Sequence, residues 1–191
     1  MNEDKLDHYL ESYYNNFFEK VHTPDNFSTL HDVLMDVYGV TPKQKHEASQ
    51  FWGRHLGSLW QKLVSAVFEQ SSLVQNYTGP IRTTDNDGKS DEPADLSGNG
   101  YAIDTKYRIG SGDAKFIKQT ERNAAILNSM NLKPVLLILR IDSLANPIRA
   151  AKSAGWQILE GIDSFDFIKE QTGYDLYNYL DSKKQQLNIN K

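Results

Sequence analysis

The 191-residue chain has no cysteine. That excludes a disulfide framework and a thiolate zinc site, and it fits a reducing cytoplasm. No stretch approaches the length of a membrane span, and the first residues, Met1 to Lys5, lack the apolar run of a signal peptide. A cytoplasmic protein with no membrane partner is therefore expected. The five histidines, His8, His22, His31, His46 and His55, form no His-Glu-x-x-His pair, and neither a Gly-x-Ser-x-Gly elbow nor a Walker loop occurs. Nothing in the sequence favours a zinc site or an activated serine. There is also no internal repeat, no low-complexity tract and no overall basic excess, the net charge being −4.

What is present is an ordinary globular composition, 39% hydrophobic and 24% charged, long enough for one folding unit with a substantial core. Its charge is unevenly placed. Residues 1–42 carry two bases and eight acids, residues 43–152 fifteen and eleven, and residues 153–191 four and six. The positive part is the middle, as a nucleic-acid-binding face requires locally rather than globally.

Apolar residues at three- and four-residue spacing predict helices over 4–21 and 28–38, the second capped by Ser28 and ended by Gly39. This acidic, tyrosine-rich front suits packing or dimerisation. The longest helical pattern runs from Pro42 to about Gln70, with Trp52, Leu56, Leu59, Trp60, Leu63 and Phe68 on one face. Gly53 and Gly57 would each cost it about 1 kcal/mol relative to Ala, which close backbone packing explains. Residues 78–93 are polar and turn-rich and predict a surface loop. Within it, Asp85, Asp87 and Gly88 lack the downstream glutamate spacing of an EF-hand.

Beyond that loop, a strand over 101–109 alternates Ala102, Asp104, Lys106 and Arg108 with Tyr101, Ile103, Thr105, Tyr107 and Ile109. One row suits burial and the other chemistry. A Gly98-Asn99-Gly100 turn makes it a hairpin, and pairing about Asn99 sets Asp95 opposite Ile103, within one residue of Asp104. Two carboxylates there can share a hard cation, with Lys106 beside a metal-bound water. That is the layout of a magnesium-dependent phosphodiesterase. After a Gly110-Ser-Gly112 joint and a cap at Asp113, a helix over about 114–130 buries Phe116, Ile117, Thr120, Ala124, Leu127 and Met130. Lys115, Lys118, Gln119 and Arg122 form its polar stripe. Residues 133–140 read as a central strand buried on both faces. A short helix from Asn146-Pro147, a strand over 156–161, a helix over 164–172 stopped by Gly173, and a final helix follow. The order implies an α/β fold, a mixed central β-sheet flanked by helices with a helical segment in front. Residues 1–191 form one domain, divided into 1–42, a core of 43–161 and C-terminal helices of 162–191.

Asp95 followed by Asp104-Thr105-Lys106 resembles the PD-(D/E)XK signature of the restriction-endonuclease-like nucleases, with Ala94 where the motif name has proline. The resemblance covers roughly residues 44–161 and points most closely to type II restriction endonucleases. It implies a Mg²⁺-dependent endonuclease that cleaves double-stranded DNA, with Mn²⁺ as a substitute and a homodimer matching a palindromic site. Catalysis would fall to Asp95, Asp104 and Lys106. Metal binding would fall to Asp95, Asp104 and the Thr105 carbonyl, with an extra helix acid, Glu47 or Glu69 and preferably Glu47. Asp91 and Glu92 stand as alternatives to Asp95 if the turn slips. Candidate DNA contacts are Arg82, Lys89, Arg108, Lys115, Lys118, Gln119 and Arg122. A structure-selective repair or junction nuclease and a non-catalytic DNA-binding or assembly module remain as alternatives.

Overall fold

A computed structural model describes residues 3–18, 30–84, 90–110, 114–184 and 186–190. Eight helices and six strands are described: α1 (Glu3–Phe18), α2 (Val33–Tyr38), α3 (Pro42–Glu47), α4 (Ser49–Gln70), β1 (Ile81–Thr84), β2 (Ser90–Ala94), β3 (Leu96–Gly98), β4 (Tyr101–Lys106), α5 (Ala114–Ser129), β5 (Lys133–Ile138), α6 (Ala145–Ser153), β6 (Gln157–Glu160), α7 (Ile162–Thr172) and α8 (Leu176–Ser182). The main sheet has the order β3-β4-β5-β6; β3 runs antiparallel to β4, while β4, β5 and β6 are parallel. It is a mixed α/β architecture. Val135, Leu137 and Leu139 enter one core with Ile103 and the α4 side chains Trp52, Trp60, Leu63 and Val64. Leu136 and Ile138 enter the other, with Ala102, Ala124, Leu127, Ile148 and Trp156. The continuous apolar run of β5 is thus explained by helices on both faces. Among the described residues, no helix is long and apolar enough to cross a membrane.

Several elements differ from expectation, each for a local reason. The long pattern after Pro42 is two helices, because Ala48 leaves helical geometry at φ −114°, ψ 47°. Thr41 and Gln44 close a capping box on the first, and Trp52 Nε1 donates to Gln44 O across the break at 3.0 Å. Helix α2 begins at an Asp32 cap rather than at Ser28, which lies outside the described residues together with Val21. Residues 81–84 and 90–94, expected as loop, pair as a small antiparallel sheet. Short strands with so few apolar residues leave little periodic signal. Helix α6 starts at Ala145, so Pro147 is its third residue, still within the turn whose N–H groups lack helical partners. Met130, expected to be buried, lies beyond α5 and is 44% exposed. Close backbone packing accounts for neither helix glycine: a Cβ at Gly57 would meet only Tyr107 Cβ, at an ordinary 3.4 Å, and Gly53 faces open space. The front helices share the main core: Leu6 and Leu10 pack with the α4 residues, and Tyr38 Oη donates to Leu10 O at 2.6 Å.

The hairpin that carries the motif closes on Asn99 and Gly100, at φ 53° and 79°. Two left-handed residues are what a type I′ turn needs. Asn99 anchors it by accepting from Gln75 N at 2.7 Å. The pairing is Leu96 with Ile103 and Gly98 with Tyr101, one residue away from a hairpin centred on Asn99. Gly100 has open space about its missing Cβ, so Gly100→Ala carries only the backbone penalty. A loss of about 1 kcal/mol is expected in urea unfolding, with the turn retained.

Candidate active site

Asp95 is the single residue at the bend between β2 and β3, where it reaches the edge of β4 that β3 leaves uncovered. Its N–H donates to Ile103 O at 2.9 Å. Its Oδ2 accepts from Thr105 N at 2.7 Å and from Thr105 Oγ1 at 2.5 Å, and its Oδ1 accepts from Gln61 Nε2 of α4 at 2.6 Å. Three donors hold one carboxylate in place. Lys106 turns its carbonyl toward β5, where it accepts from Leu139 N at 2.9 Å. Because strand polar groups alternate between edges, the Thr105 N–H and carbonyl face the opposite edge, the Asp95 side.

Asp104 and Lys106 occupy the α5 face, as alternation along the strand predicts. Lys106 Nζ donates to Asp104 Oδ1 at 2.6 Å, and the Asp104 side chain is only 18% exposed. Burial raises the Asp104 pKa to about 6, Lys106 opposes the rise, and the neighbouring Asp95 carboxylate adds to it. Burial pushes Lys106 down, but its bond to Asp104 outweighs this and leaves its pKa above the ordinary value. The result is a lysine kept charged beside two carboxylates that repel one another. Asp104 and Lys106 line a cleft of about 120 Å³ that also takes in Glu92, Gln119, Asn123 and Trp156, whereas Asp95 lines a neighbouring groove.

The other predicted residues fall into distinct groups. Gln119 lines the cleft. Glu92 also lines it and pairs with Arg82 at 3.6 Å, whereas Asp91 is tied to Arg122 of α5. Lys115 and Lys118 are exposed on α5, outside the cleft lining. Glu47 is exposed at the end of α3 and is not among the cleft residues; Glu69 pairs with Lys5 and lines a separate groove with Gln61 and Asp95. Arg108 does not continue the Asp104–Lys106 row. Strand β4 ends at Lys106, Ile109 turns into the α5-side core, and Arg108 Nε donates to Asp142 O at 2.9 Å. Alternation holds only while the chain stays extended. Lys89 and Asp113 lie outside the described residues. Gln61 was not anticipated, since a glutamine on a long helix carries no motif of its own.

Among the described residues, no group of three or more His, Asp or Glu side chains converges as a metal cage. The oxygen donors nearby are Asp95, Asp104, the Thr105 carbonyl and Glu92, which lines the cleft with Asp104. Such a set suits Mg²⁺, which is held through one or two carboxylates and keeps several waters. No protein-family model matches the chain, and no match is found among curated proteins.

Gln61 orients Asp95 without belonging to that donor set. If those donors hold Mg²⁺, a partner that orients a ligand sets its affinity, and Gln61→Ala is expected to weaken Mg²⁺ binding about 10- to 100-fold. A Mg²⁺ titration followed by thermal shift measures it, and unchanged affinity would remove Gln61 from the site.

Proposed function

We propose that the chain is a Mg²⁺-dependent endonuclease hydrolysing phosphodiester bonds of double-stranded DNA. Its nearest class is the type II restriction endonucleases of the PD-(D/E)XK superfamily, acting as a homodimer. The observation that carries the reading is the hairpin edge itself: a fixed Asp95, a half-buried Asp104 and a charged Lys106 brought together by β3 and β4. Asp95, Asp104 and the Thr105 carbonyl would hold the ion, which when bound polarises a phosphate and acidifies water. Lys106 orients the attacking water and stabilises charge that grows on the phosphate in a partly desolvated cleft. Gln119, on the cleft wall, is placed to contact the same phosphate or that water. Lys115 and Lys118, exposed on α5, supply backbone contacts that set register rather than sequence.

Incubation of the full chain with a long DNA of known sequence and Mg²⁺, followed by mapping of fragment ends, tests this directly. Discrete fragments with a common end sequence are expected. Cleavage confined to branched DNA would replace the restriction assignment with a junction nuclease. The absence of cleavage on every substrate with Mg²⁺ or Mn²⁺ would leave a DNA-binding or assembly module.

A further inference from the structure

Beyond the carboxyl ends of β4 and β5 lies a second group of charges that the hairpin site does not use. Arg140 is 4% exposed, and its guanidinium is fully committed: Nε and Nη2 donate to Asp142 at 2.8 and 3.0 Å, and Nη1 donates to Asp32 at 3.1 Å. Asp142 also receives Arg108 at 3.2 Å, while Asp32 receives Tyr107 Oη at 2.5 Å and caps α2 through Met35 N at 3.0 Å. Both carboxylates are engaged by these neighbours. Lys45 is the cation left over. It is half-buried, its Nζ lies 5.1 Å from the Tyr107 ring centre, and among the described residues it has no ion-paired carboxylate. Burial and the charge of Arg140 lower its pKa, and the more distant charges of Asp32 and Asp142 only partly oppose the fall. This ammonium is poorly solvated and, among the described residues, has no carboxylate in direct ion-pair contact, a condition in which an added anion gains.

Lys45, Arg108 and Arg140 line a pocket of about 230 Å³ with His46 and Ser49 at its rim. It adjoins a larger hollow of about 390 Å³, the two sharing Leu30, Arg140 and Asp142. That hollow has largely apolar walls, including Val33, Leu139 and Phe165, with His31 and the carboxylates of Asp32, Asp36 and Asp142 also on its lining, and falls within the size range of small-molecule sites. Cations beside an apolar hollow suit an anion that carries an organic group. We propose that this pocket is a second binding site, specific for a phosphate ester, with Lys45 and Arg108 holding the phosphate and His46 and Ser49 donating at the rim. It lies apart from the Asp104–Lys106 cleft and does not depend on that cleft's chemistry. The phosphate comes either from a free nucleotide or from a DNA backbone, and the two sources are separable.

The experiment uses the full chain in EDTA, with dAMP measured by calorimetry and a short labelled DNA duplex by fluorescence anisotropy. Lys45→Gln is expected to weaken binding of one probe by at least about tenfold, the loss of one charge-assisted contact. Lys45→Arg is expected to retain binding. A loss seen with dAMP assigns a nucleotide site, and a loss seen only with the duplex assigns a backbone-phosphate site. If neither probe binds the unaltered chain, or if Lys45→Gln binds both as the parent does, the proposal fails. Because Lys45 has no ion-paired carboxylate to strand among the described residues, Lys45→Gln should melt no lower than the parent without ligand. Should it fold poorly, the unaltered chain still decides for a nucleotide site: dAMP must raise its melting temperature more than deoxyadenosine does at equal ionic strength. For a backbone site the same comparison is made with the duplex against an uncharged-backbone duplex of the same sequence. An equal response in both comparisons overturns the proposal.

Discussion

Asp104→Asn is expected to lower Mg²⁺-dependent DNA cleavage by about 100-fold or more, while making the metal-free protein more stable at pH 8. The two effects have one cause. Asp104 sits where its charge is poorly solvated, so its pKa in the fold, about 6, lies above the ordinary carboxyl value of 3.8. A carboxyl with a raised pKa stabilises the fold fully below pH 3.8, and that contribution is lost as pH rises through about 6. Above pH 6 the ionised form works against folding by roughly 1–3 kcal/mol. Asparagine is neutral at every pH and still accepts from Lys106 Nζ, so it removes the cost and flattens the pH dependence of stability. Under the proposed function it also removes a metal ligand. Mg²⁺ should therefore raise the melting temperature of the parent and leave that of Asp104→Asn unchanged. At fixed Mg²⁺, cleavage by the parent should fall in acid at a pH below about 6, the metal-free value, because a bound ion competes with the proton for the Asp104 carboxylate. A variant that still cleaves and still responds to Mg²⁺ would place the site elsewhere.

Asp32→Ala is expected to destabilise the fold by about 3–5 kcal/mol, the largest single loss outside the apolar core. Asp32 and Arg140 are 5% and 4% exposed, so removal of the acid strands part of a guanidinium with little access to water. The same change removes the α2 cap, usually about 1 kcal/mol, and the acceptor of the buried Tyr107 hydroxyl. For a domain of this size the combined loss corresponds to a melting temperature lower by about 10 °C or more. Replacement of both charges, Asp32→Asn with Arg140→Met, should recover part of it, because a paired loss leaves no orphan charge. A single Asp32→Ala that unfolds within 1 °C of the parent would show that water reaches Arg140 freely.

Sequence periodicity was legible where one environment governed a whole element. The apolar run after Lys133 reads as a strand covered on both faces because every residue from Pro134 to Ile138 is buried. The alternation of Ala102, Asp104 and Lys106 against Ile103 and Thr105 likewise survives in β4, since sterics alone set side-chain direction in an extended strand. Reading failed where direction depended on a contact far along the chain. Arg108 leaves the row because Asp142, 34 positions later, takes its Nε. Asp91 and Glu92 sit next to each other, yet one is tied to α5 and the other lines the cleft.

By itself, the sequence determined the elements and their chemistry: a Gly-containing turn, a strand with Asp and Lys two apart, apolar faces of the right period, and the absence of thiols. Those are local consequences of backbone sterics and side-chain type. Only the tertiary structure decided which groups meet. The hairpin register brought Asp95 to the β4 edge, α4 supplied Gln61 to hold it, and burial beneath α5 raised the pKa of Asp104. Tertiary packing also set Lys45 beside two arginines whose shared partner, Asp142, lines the same pocket. Burial and convergence depend on contacts between distant segments, and no local window of sequence contains them.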